Sequence, residues 1–155
     1  MAPPSVTAEI EEVRSEPLVE GAGYRPGEHY THRLISRRLL EANNSWSHDL
    51  AARAYNPAFM HPADLEAIGV ATGDLVEIAS DHGSIPGVAE ASDDVPRGVI
   101  SMAHAWGGAP ERDREVREIG GSTNRLVNNA RDFDPISGMA RQSAIPVNVR
   151  PLTDP

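Results

Sequence analysis

Six consecutive residues, Asn43 to His48, hold two asparagines, two serines, a tryptophan and a histidine. Few stretches supply so many hydrogen-bond donors and acceptors in so short a run. Arg37 and Arg38 stand just before it, and a guanidinium can meet a phosphate with two parallel donors. Two readings fit. The asparagines and serines form turns beside a solvated arginine pair, or the group receives a polar, anionic ligand. A second cluster, His104-Ala105-Trp106-Gly107-Gly108, ends an apolar run. Its rings either close the edge of a core or stack on and hydrogen-bond to a ligand. Asn124 and Asn128 bracket Leu126, as caps and turns or as ligand contacts.

Other chemistries lack their residues. There is no cysteine, so thiolate metal sites, iron–sulfur ligation and a cysteine nucleophile are excluded. No serine lies in a nucleophile elbow, and no phosphate-cradling glycine loop is present. The histidines show no paired metal-ligand spacing; His29 and His32 are three apart, but in a linker-like stretch. Asp64, Glu66, Asp93 and Asp94 read as solvated charge and helix caps.

All 14 basic residues are arginine, and the net charge is −9. The charge is uneven. Residues 61–100 hold one arginine against eight acids, whereas residues 31–60 hold four against two. An anionic ligand needs local positive charge of this kind. The acidic total speaks against non-specific nucleic-acid binding. No apolar run reaches the roughly 18 residues of a membrane helix, so no membrane insertion is expected, and no secretory layout opens the chain. A cytoplasmic location is the default expectation.

These residues must be held by a mainly β scaffold with short helices. Residues 1–30 read as a lead-in, with an acidic helix over Thr7–Glu16 capped by Thr7 and a turn-rich linker after it. His32–Leu40 alternates as a strand. Pro62 suits the first turn of a short helix, Gly69 its C-cap, and Gly73-Asp74 a turn before the strand LVEIAS. Asp81-His82-Gly83 turns the chain into a second strand, where Pro86 predicts an edge or a bulge. Val99–Ala103 is a third strand and Ser143–Arg150 the last. Gly107–Gly121 reads as a charged, exposed loop. Short strands with Gly and Pro punctuation and few helices suit a small closed barrel.

The unit HPADLEAIGVATGDLVEIAS, then VPRGVISMAHAWGG, then STNRLVNN, then DPISGMARQSAIPVNV follow in an order that resembles the C-terminal domain of molybdopterin-dinucleotide oxidoreductases. This is the family of dimethyl sulfoxide reductase, formate dehydrogenase and the nitrate reductases. The resemblance covers about residues 31–151 and implies a six-stranded double-psi β-barrel. It further implies binding of the guanine dinucleotide form of the molybdopterin cofactor, carrying molybdenum or tungsten, jointly with domains absent from this chain. Carried over residue by residue, the cofactor contacts are Ser36, Arg38, Asn44, Ser45, Trp46 and His48; His104 and Trp106; Asn124, Leu126 and Val127; and Gln142 and Ser143. Many members place an aromatic-lysine pair before the last strand. Here Gln142-Ser143 stands there instead. The metal-ligating motif and the iron–sulfur cysteines belong to the absent domains, so the chain is not expected to turn over substrate alone. Its expected partner is the catalytic part of a molybdenum oxidoreductase.

Two other readings stay open at this level. GVATGDLVEI also resembles the hairpin of small swapped-hairpin DNA-binding factors, against which the net charge and the length beyond residue 100 argue. A barrel that only packs on protein partners, or the remnant of a split gene, is the other.

Overall fold

Apolar residues recur at alternate positions in stretches such as Ile145-Val147-Val149 and Val76-Ile78, so these stretches have a face that must leave water as strands. In the computed structural model, which describes residues 2–15, 29–40, 46 and 53–152, that need is met by rolling the strands into a closed barrel. The strands are β1 (His32–Arg37), β2 (Ala58–Met60), β3 (Leu75–Ala79), β4 (Ser84–Ala91), β5 (Val99–Ala103) and β6 (Ile145–Pro151). They lie in the order β1-β5-β2-β4-β3-β6, and β6 pairs back onto β1. Two pairs, β1–β5 and β2–β4, are parallel; the other four are antiparallel. This is the expected six-stranded double-psi barrel. Parallel neighbours cannot be joined by a tight turn, so the long connections between them carry the helices and loops.

Leu34 stands opposite Ile100, and both are fully buried with Met60, Met102, Ile78, Ile85 and Val147. Each such side chain contributes about 1.5–3 kcal/mol of transfer free energy. Leu126, from the 3-10 turn Thr123–Leu126, joins the same core. Ser80 Oγ donates to the Leu126 carbonyl at 3.0 Å and so ties this turn to the β3–β4 hairpin.

The helix α2 (Pro62–Ala67) begins with His61, whose Nδ1 accepts from the Ala63 N–H at 3.1 Å. Gly69 leaves it at φ +68° and Gly73 turns at φ +95°, conformations that favour glycine, as their places in the sequence predict. The N-terminal helix α1 spans Pro4–Ser15. It starts three residues before the expected cap. Pro4 is pre-set for a first helical position, and Thr7 instead bonds back to the Pro3 carbonyl at 3.3 Å.

Three expectations change. Pro86 lies within the ladder, opposite Glu77, in a barrel that has no edge. It is tolerated because the three-residue β2 reaches only Ala89–Ala91 and leaves that flank of Pro86 without a strand partner. Gly107–Gly121 is not simply an exposed loop. It forms a 3-10 turn (Pro110–Glu115) and the short helix α3 (Val116–Ile119), and Val116 packs on Leu75, Val88 and Tyr55. That cover explains why β4 is buried at consecutive positions from Ile85 to Ala89. Asp64 is not a solvated charge. It is buried, accepts from the Gly98 N–H at 2.7 Å and from Arg97 at 3.3 Å, and lies 3.8 Å from His32 Nε2.

Candidate functional site

Two parallel strands, β1 and β5, end side by side. Their pairing runs through Arg37 opposite Ala103, and the His104 N–H extends it by donating to the Arg37 carbonyl at 3.0 Å. The His104 ring turns back to the same carbonyl, with Nδ1 at 2.8 Å. A carbonyl only accepts, so Nδ1 carries the proton there. Beyond this point the chain passes through Ala105 at φ +70°, a left-handed conformation unfavourable for a residue with a Cβ. Ala144, just before β6, is left-handed too, at φ +56°. Strain of this kind gathers where structure over-determines a site.

Between these ends lies a cleft of about 460 Å³ lined by Ser36, Arg38, His104, Ala105, Asn124, Gln142 and Ser143. Four separate segments supply it: the end of β1, the end of β5, the Thr123–Leu126 turn and the approach to β6. Ser36 Oγ is 3.4 Å from Thr123 Oγ1, which joins the first segment to the third. One guanidinium, one imidazole, two amides and two hydroxyls face the space, and none of its lining residues is a carboxylate. Such a lining suits a ligand with amide-like ring edges and negative charge.

The structure thus brings together six residues named from sequence: Ser36, Arg38, His104, Asn124, Gln142 and Ser143. Others fall elsewhere. Trp106 is buried, and Leu126 and Val127 are core residues, so none of the three lines the cleft. Trp46 is 76% exposed. Asn44, Ser45 and His48 lie outside the described residues. Sequence reasoning missed Ala105, whose methyl carries no chemical signal, and Asn56, which holds the cleft's supports without touching it. Among the described residues no group of three His, Asp or Glu side chains could hold a metal ion, and no helix is long and apolar enough to cross a membrane.

Glycines set the supporting backbone. A Cβ on Gly120 would collide with the Asn56 side chain, and one on Gly121 with the Pro86 carbonyl. Gly107 donates to the Ile119 carbonyl at 2.8 Å, and a Cβ there would strike the Ser122 nitrogen. The stretch leaving β5 and the stretch entering the Thr123–Leu126 turn therefore run in backbone contact.

The closed barrel and the polar cleft at the ends of its parallel strands define a ligand-binding β-barrel domain. The family model for the molydopterin dinucleotide binding domain matches residues 33–146, so the chain belongs to that family. Among curated proteins it is similar to trimethylamine-N-oxide reductase of Vibrio vulnificus (strain CMCP6), 37% identical over 78 residues, which is 50% of this chain and 10% of that protein. It is also similar to trimethylamine-N-oxide reductase of Vibrio cholerae serotype O1, 39% identical over 59 residues, 37% of this chain and 7% of that one. Among solved structures, acetylene hydratase from Pelobacter acetylenicus superposes with a TM-score of 0.64 at 18% identity, over 79% of this chain and 18% of the other, a likeness of fold. The chain thus spans a tenth or less of the length of these curated relatives.

Proposed function

We propose that this domain, residues 31–151 with residues 1–30 as its lead-in, binds the guanine dinucleotide form of the molybdopterin cofactor. It does so as one part of a molybdenum or tungsten oxidoreductase. The observation that carries the reading is the convergence of Ser36, Arg38, His104, Asn124, Gln142 and Ser143 from four distant segments on one cleft. The donor set fits the group. Arg38 would meet phosphate, the amides of Asn124 and Gln142 would pair with ring edges, and the two serines would satisfy remaining polar atoms. A buried polar atom left unpaired would cost about 1–3 kcal/mol. When bound, the cofactor supplies the metal–dithiolene centre for oxygen-atom, hydride or electron transfer. This chain's own residues bind and orient it.

The remaining enclosure comes from other domains. Phe133, Ile136 and Met139 stand exposed on the turn just before Gln142, and that turn is held rigid by Asp134. Such an apolar surface on the chain leading to Gln142 suits a second domain of the same oxidoreductase closing over the ligand, in keeping with relatives about five times as long as this chain. Substrate choice, whether trimethylamine N-oxide as in the relatives' names or formate or nitrate, rests with those domains.

The test is purification of this chain together with the rest of its oxidoreductase, followed by assay for molybdopterin and for molybdenum or tungsten. Cofactor present in the wild type and depleted in His104→Ala and Asn124→Ala variants that remain folded supports the reading. A stable assembly free of pterin sinks it.

A further inference from the structure

Asn56 is only 1% exposed, and its amide makes three hydrogen bonds. Nδ2 donates to the Ala103 carbonyl at 2.6 Å and to the Gly121 carbonyl at 3.0 Å. Oδ1 accepts from the Gly121 N–H at 2.8 Å. Both amide hydrogens are thus spent, and the exchange with Gly121 copies one rung of a β-ladder with a side chain. His104 follows Ala103 directly, and Asn124 lies three residues after Gly121. We propose that Asn56 is a positioning residue for the cofactor cleft, a buried clasp that sets the spacing of the walls carrying His104 and Asn124.

This rests on the cofactor reading above for the identity of the ligand, but not for the clasp. Asn56 is not among the cleft's lining residues, so it acts through Ala103 and Gly121. Its geometry is hard to replace. Aspartate keeps the acceptor but loses both donors, glutamine is one methylene too long, and an aliphatic residue leaves two carbonyls and an N–H without their partner. The packing of Gly120 against Oδ1 leaves no room for the clasp to shift toward that side.

The experiment uses the chain in its full oxidoreductase and compares three variants. Asn56→Ala removes the clasp. Asn56→Asp keeps the bond from Gly121 N–H. Val149→Ala removes a core methyl pair from β6, six residues beyond Ser143 and away from the cleft. Melting temperature, the rate of loss of molybdopterin guanine dinucleotide, and amide exchange of His104 and Gly121 are measured for each. Asn56→Ala is expected to lose cofactor roughly tenfold faster than Val149→Ala at equal folded fraction. Exchange should rise at His104 and Gly121 and stay at the wild-type level along β3. Asn56→Asp should recover retention as the pH falls, because a protonated carboxyl regains one donor and burial raises its pKa; retention in Val149→Ala should follow the wild type. Loss rates that track melting temperature alone across all three variants overturn the proposal. Should the wild type hold no cofactor, the ligand reading fails, and amide exchange alone then decides the clasp. A local rise in Asn56→Ala supports it, and unchanged exchange overturns it.

Discussion

Removing the Asp64 carboxylate should unsettle the barrel from the end opposite the cleft. Asp64 accepts from the Gly98 N–H at 2.7 Å, and the Gly98 carbonyl accepts from Arg33 N–H at 2.8 Å. One carboxylate therefore holds the turn that launches β5 against the start of β1. A buried hydrogen bond to a charged acceptor is worth about 1.5–3 kcal/mol. Its place in the first turn of α2 adds about 0.3–1 kcal/mol from the helix dipole. The ion pair with Arg97 adds about 0–1 kcal/mol at most, because Arg97 is 69% exposed and screened by water. Asp64→Ala should then lose about 3 kcal/mol, which lowers the melting temperature by roughly 6–12 °C for a chain of this size. Asp64→Asn keeps an oxygen for Gly98 and should lose only about 1 kcal/mol, or roughly 2–4 °C. Thermal denaturation followed by circular dichroism measures both.

The same substitution has a pH signature. Burial holds the pKa of His32 below its ordinary value of 6.5, and Asp64 partly offsets this. The unfolded chain therefore binds the proton more readily than the folded one. His32 contributes its full stability above about pH 6.5, and the contribution falls as the pH drops through the folded pKa. Without the Asp64 charge the pKa falls further, so Asp64→Asn should widen the range over which acid weakens the fold. If Asp64→Ala melts within 2 °C of the wild type (a loss of about 1 kcal/mol or less), the carboxylate is solvated after all and this reasoning is wrong.

Three further outcomes follow from the cleft and its supports. Arg38→Glu reverses the guanidinium charge lining the cleft; stability should change by no more than about 0.5 kcal/mol because the side chain is exposed. Cofactor retention in that variant should fall about tenfold and worsen as salt is lowered, read by metal and pterin content after gel filtration. Gly121→Ala drives a methyl into the Pro86 carbonyl and should lose about 1–3 kcal/mol in denaturant titration; an unchanged midpoint would refute the close backbone approach. Leu126→Ala should lose about 2–5 kcal/mol, as a fully buried core residue does, while the fraction that stays folded keeps its cofactor. Loss of cofactor at wild-type stability would instead make Leu126 a contact residue.

Local features were legible from the chain. Pro62, Gly69 and Gly73-Asp74 mark a short helix and a turn because proline and glycine limit or free φ whatever surrounds them. The alternation in LVEIAS marks a strand because only a pleated chain puts every second residue on one face. The ligand-facing residues were named through the order of four short motifs. Their types alone left both turn formation and ligand contact open, since a turn and a binding site use the same asparagines and serines.

What the sequence determined by itself was five of the six strands, their punctuation and the chemistry available to a site; the three-residue β2 is too short to show an alternation and is recognisable only from its pairing with β4 and β5. Tertiary structure decided which of those residues meet. Ser36 and Ser143 are 107 positions apart and reach one cleft only because β1 lies between β5 and β6. In a linear reading Asp64 and Val116 look like surface and loop residues, and Asn56 carries no signal. Their burial comes from Gly98, Gly121 and Val88, each more than 25 positions away. Whether a polar group is solvated or is a keystone depends on whether distant chain excludes water from it, and no local pattern carries that information.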